Sequence, residues 1–116
     1  SWNAGVITAQ FYWTNSNANS GNVVWNLAGV TAVDSSDLNI AYGTAGTVTD
    51  PNITTAGDLM VSGPTGNINI TNAADDGITF FRVSRDASDT GTDTYGSDAR
   101  LIGVKIIYTT SSSTDA

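Results

Sequence analysis

Cysteine and histidine are both missing from this chain of 116 residues. Without cysteine there is no disulfide, no zinc-thiolate site and no thiol nucleophile. Without histidine the commonest general base and the commonest transition-metal ligand go as well. Glutamate is absent too, so all eleven acidic side chains are Asp. Basic residues number only four: Arg82, Arg85, Arg100 and Lys105. The net charge of −7 disfavours nucleic acid, whose phosphates need a basic face, and anionic membrane surfaces. It suits a soluble particle that must not self-aggregate. No apolar run reaches the length of a signal peptide core or a membrane span, so membrane insertion is not expected. A cysteine-free chain is stable in either redox compartment. The start at Ser1-Trp2, without Met, leads us to expect a processed or excised piece.

What is present is the vocabulary of sheets and turns: Thr, Ser, Asn, Gly, Val and Ile. The length suits one domain, expected over residues 1–110, which at this size buries roughly two thirds of its unfolded-state surface. Residues 111–116, all small or polar, read as a flexible tail. Gly5–Trp13 alternates, with Ile7, Ala9, Phe11 and Trp13 on the likelier core face. Asn22–Gly29 is a second strand with Val23, Trp25 and Leu27 on one face. Thr14–Gly21 and Asn72–Gly77 have turn composition. Asp34–Asp37 suits one capped helical turn or a loop. Leu38–Tyr42 is ambiguous, and Thr47–Thr49 reads as extended. Asp58–Ser62 and Asn67–Thr71 are short strands, with Ser62–Gly66 expected as their hairpin turn. Ile78–Arg85 and Ala99–Thr110 are long strands joined by an Asp/Thr/Gly loop. About eight strands at this spacing imply an all-β sandwich, and we favour an antiparallel jelly roll.

Four features invite a functional reading. Asp86, Asp89, Asp93 and Asp98 share one loop and could hold calcium, but their spacing is not that of an EF-hand. Turn formation and pairing with Arg is the favoured alternative. Arg82 and Arg85 fall on opposite faces of one strand. An Arg on an apolar face there suggests a bidentate pair to an Asp, with Asp98 the named candidate, or an intersubunit contact; the alternative is plain surface exposure, with the stem lying along apolar neighbours. Trp2, Tyr12, Trp13, Trp25, Tyr42 and Tyr95 could stack on sugars, with Tyr95 and Trp2 as ligand-contact candidates. For Trp13 and Trp25 core packing is the better reading. Asp75 and Asp76 are adjacent and point apart, which does not suit a glycosidase pair. Catalysis is not expected. Asn52-Ile-Thr54 and Asn69-Ile-Thr71 match the glycosylation sequon, a pattern that recurs by chance.

Phe81-Arg-Val-Ser-Arg-Asp86, followed by Asp93-Thr94 and Asp98-Ala-Arg-Leu-Ile-Gly-Val-Lys-Ile-Ile-Tyr-Thr-Thr110, resembles the C-terminal signature of a family of phage virion structural proteins. Trp2–Thr14, Val24–Gly29 and Ala41–Asp50 resemble the same family, so the likeness spans nearly the whole chain. The resemblance implies a tail-fibre, head-fibre or spike domain without enzymatic activity. It implies a place in the virion, a closed homotrimer, and contacts with capsid or tail proteins and with host-surface glycans. Arg82, Arg85, Asp98 and Arg100 are then the assembly or structural candidates, and no cofactor is expected. The rival is a carbohydrate-binding module, which should be monomeric with exposed rings.

Overall fold

Alternation in the first strand sets the architecture. β1 (Trp2–Asn15) turns Ile7, Ala9, Phe11 and Trp13 inward, and each is at most 3% exposed. β2 (Asn22–Ala32) supplies Val23, Trp25 and Leu27 from the other side. Five more strands follow: β3 (Gly46–Pro51), β4 (Leu59–Val61), β5 (Ile70–Thr71), β6 (Ile78–Arg85) and β7 (Ala99–Thr110). The computed structural model describes residues 2–110, and the tail expected over 111–116 lies outside them. Among the described residues the chain is all-β, without helix, in two packed sheets.

One sheet has the order β4-β1-β7, both partners antiparallel to β1. The other is built on β2. β6 lines one edge of β2 without interruption, from Trp25↔Arg85 to Ala32↔Ile78. The opposite edge is shared: β3 pairs with Asn22–Leu27 and β5 takes over, parallel, at Gly29 and Val30. β2 is therefore flanked on both sides, which explains why nearly all its residues are buried. Rings fill the space between the sheets. Phe11 stacks on Trp25 at 5.6 Å, and Trp13 meets Trp25 edge-on at 6.1 Å. Trp13 Nε1 donates to Asp50 Oδ2 at 2.7 Å, while Trp25 Nε1 is buried without a hydrogen-bond partner among the described residues.

Two expectations need correcting. Seven strands form among the described residues where about eight were expected, because Leu38–Tyr42 stays irregular. Of the two readings open for Asp34–Asp37, the loop forms, closed by Ser36 N–H to Val33 C=O at 3.0 Å. Ser62–Gly66 is not a hairpin turn: β4 lies in one sheet and β5 in the other, so the segment crosses between them. It first continues along the edge of β1 by an unusual ladder. Ser62 N–H donates to Phe11 C=O and Ser62 Oγ accepts from Phe11 N–H, both at 2.9 Å. Thr65 repeats this on Ala9, at 2.8 and 3.0 Å. The two hydroxyls then donate to the carbonyls of Gly63 and Gly66. The Ser-Gly and Thr-Gly pairs, three residues apart, thus satisfy two β1 residues that a strand of period two would otherwise serve.

Candidate functional site

Everything singled out in the last third of the chain meets at one end of the sandwich and along one flank. At the end, the loop from Asp86 to Asp98 is held by Arg85. Arg85 shares its sheet face with Phe81 and Val83 and lies opposite the core residue Trp25. Its Nε donates to Asp93 Oδ2 at 3.0 Å and its Nη2 to Asp93 Oδ1 at 2.7 Å, a bidentate pair. The remaining donors reach the carbonyls of Ser97, at 2.7 Å, and Tyr95, at 2.5 Å. Asp93 Oδ2 also accepts from Val24 N–H at 2.9 Å, tying the loop to β2. Burial pushes the Asp93 carboxyl up, but the Arg85 hydrogen bond, the Val24 N–H and the Arg85 charge outweigh it. The group ends below the ordinary carboxylate range. Arg85 is raised in turn, chiefly by its hydrogen bond to Asp93.

The bidentate pair expected in this strand thus exists, but between Arg85 and Asp93. Asp98 was the named partner; it contributes only its charge to the surroundings of Arg85, and the Ser97 carbonyl takes the donor instead. Arg82, on the other face, stacks its guanidinium over the Tyr42 ring at 4.6 Å. Arg100 and Lys105 project from the outer face of β7, opposite Thr14 and Gln10 of β1. Both are exposed.

Tyr95 is not the exposed ring that its loop position suggested. It is 2% exposed and plugs the end of the core against Trp13, at 6.5 Å between centroids. Its hydroxyl accepts from the N–H groups of Ser16 and Asn17, at 3.3 and 3.2 Å. Gly21 makes this possible: at φ 140°, a Cβ there would sit 2.6 Å from the Tyr95 backbone. Of the other ligand-contact candidate, Trp2, the side chain lies outside the described residues.

Sequence reasoning missed the neighbouring asparagine network. Asn15 Nδ2 donates to Asn52 Oδ1 at 2.7 Å, and Asn15 Oδ1 accepts from Gly57 N–H at 2.8 Å. Asn52 Nδ2 donates to the carbonyls of Asn17 and Asn19. These polar groups bind the β1–β2 and β3–β4 loops together, and they occupy the Asn52 amide that a glycan on that sequon would need. The only hint was a surplus of Asn beside strand ends.

The flank between β6 and β7 was also unforeseen. Each of these strands is an edge of its sheet, and their inward residues are poorly covered. Phe81 is 36% exposed, Leu101 40% and Tyr108 44%, against 0% for Phe11 and Trp13. An apolar cleft of about 290 Å³ opens there, lined by Ile7, Thr79, Phe81, Ile106 and Tyr108. Phe80, Ile107 and the bulged Ile102 add exposed apolar surface outside it. Alternation alone cannot show this, because it says which way a side chain points and not whether a neighbour lies there. Compared with known proteins, the chain matches no family model, no curated protein and no solved structure.

Proposed function

We propose that this chain is a non-enzymatic structural domain of a phage virion, part of a fibre, spike or other appendage on tail or capsid. It would serve host-surface attachment or particle decoration, and it would act as a trimer. The observation that carries the reading is the fate of the signature segment. Its Arg85 and Asp93 clamp a loop, and its two strands form the open apolar flank. A segment built for assembly should look like this: rigid support behind a surface that a neighbouring subunit covers. A jelly-roll order belongs to the proposal. Its support is the nested pairing, first strand with last in one sheet and second with second-to-last in the other. The adjacency of β2 and β3 within one sheet departs from that order.

The rival sugar-binding reading has less to stand on, since Trp13, Trp25 and Tyr95 are core residues and not a platform. Light scattering on a size-exclusion column tests the proposal. The expected result is a stable trimer. A monomer that binds on a glycan array would replace it with the carbohydrate-binding module. The proposal also holds that the Asp86–Asp98 loop takes no calcium, since Asp93 already serves Arg85 and Val24 with both oxygens. A large rise in melting temperature with Ca²⁺, reversed by chelator, would refute that part.

A further inference from the structure

The outer face of the β4-β1-β7 sheet carries a charge opposite to that of the chain. Its three strands contain no Asp, and their charged residues are Arg100 and Lys105, in a chain of net charge −7. Both are exposed, and among the described residues neither makes an ion pair, not even with Asp98 two residues before Arg100. Strand register spaces them. Thr14 lies opposite Arg100, Tyr12 opposite Gly103 and Gln10 opposite Lys105. Phe11 and Trp13 point into the core, so Tyr12 between them points outward. The Tyr12 ring therefore stands midway between two cations about 13 Å apart, four residues along β1. Gly103 keeps a lane open beside that ring. A Cβ there would meet nothing within 4 Å, and no positive φ demands glycine. Val61, 47% exposed, borders Tyr12 on the other side.

We propose that this face binds an acidic polysaccharide, a sugar chain whose acid groups are separated by neutral rings. Acid groups meet Arg100 and Lys105, and a neutral ring between them lies on Tyr12 in the lane over Gly103. The inference rests on the attachment reading above and names its ligand class. Charge complementarity selects a polyanion, and the spacing selects which kind. A nucleic acid carries a charge at every nucleotide and needs a broader basic face than two cations supply. The three strands make a stripe about 10 Å wide. A stable protein partner covers about 800 Å² per side, far more than this stripe offers. A polymer one ring wide fits it.

Affinity electrophoresis tests this, through gels that contain hyaluronan, whose charged and neutral rings alternate, or gellan, whose charges lie further apart. Dextran is the neutral control and single-stranded DNA the dense polyanion. The expected result is retardation by hyaluronan or gellan that fades with added salt, and none by dextran. Arg100→Ala and Lys105→Ala should each weaken binding about fivefold. Gly103→Val fills the lane and should weaken it about tenfold. Its melting temperature and near-UV circular dichroism should match the wild type, since the Cβ has room. Undiminished binding in all three variants overturns the face. Retardation by neither acidic polysaccharide, or equal retardation by dextran or DNA, overturns the ligand class. A trimer that binds neither polysaccharide leaves the virion reading standing and sinks this inference alone. A monomer that binds through this face keeps the site, while the virion reading gives way to the carbohydrate-binding module.

Discussion

Arg85 works as a structural residue because one guanidinium joins a carboxylate and two carbonyls, and the carboxylate in turn holds β2. Removing either partner of the pair leaves the other buried and uncompensated. Arg85→Ala should therefore cost about 3–5 kcal/mol in a urea melt. Arg82→Ala should cost only about 0.5–1 kcal/mol, the value of a partly exposed cation over a ring. Equal losses at the two positions would contradict this division of labour. The pair also predicts the acid limb of stability. The folded pKa of Asp93 is depressed, so its contribution is present above the unfolded carboxylate pKa and is lost as pH falls through the folded one. Melting temperature followed from pH 6 downward should drop more steeply in the wild type than in Asp93→Asn, which starts lower and lacks that titration. At this scale the sequence was half legible. An Arg on an apolar strand face announced a partner. Which of four loop aspartates answers was decided by loop geometry that spacing does not encode.

At the scale of the element, the segment Ser62–Gly66 shows most clearly how composition can mislead. Ser, Gly and Pro are turn residues, yet here they run along a strand and replace its ladder with hydroxyls. Ser62→Ala and Thr65→Val would leave the buried amides of Phe11 and Ala9 without acceptors. Each should cost about 1–3 kcal/mol, and amide hydrogen exchange should quicken at Phe11 and Ala9 in the matching variant. Unchanged protection would mean that the ladder contributes nothing. β1 was legible because burial repeats every second residue on it, and β2 because it is an apolar, β-branched run bounded by turn residues. β5 was not, since two residues pairing in parallel leave no periodic trace. β6 and β7 were legible as strands but not as edges, because alternating apolar residues look alike on a covered and an uncovered face.

For the whole molecule, the open flank sets a further expectation. If the proposed trimer covers the cleft, folding and association are linked, and the melting temperature should rise with protein concentration. A value constant over a hundredfold dilution series would mean that each copy is stable with its flank bare. Charge acts at this scale too. Loops carry most of the aspartates and β6 and β7 carry the bases, so high salt should weaken the proposed polysaccharide contact more than it weakens the clamped fold, where the Arg85–Asp93 pair is shielded from ions.

By itself the sequence determined the class of fold: alternation, β-branched residues and frequent turn formers leave a sheet protein as the only economical way to bury Phe11, Trp13, Trp25 and Leu27 together. It also set the inward faces of β1 and β2, since side-chain direction along a strand is local. The tertiary structure alone decided the partner of Arg85, the burial of Tyr95, the sheet change between β4 and β5, and the exposure of β6 and β7. Those depend on which distant segments become neighbours, and a pattern with a period of two residues holds no record of that.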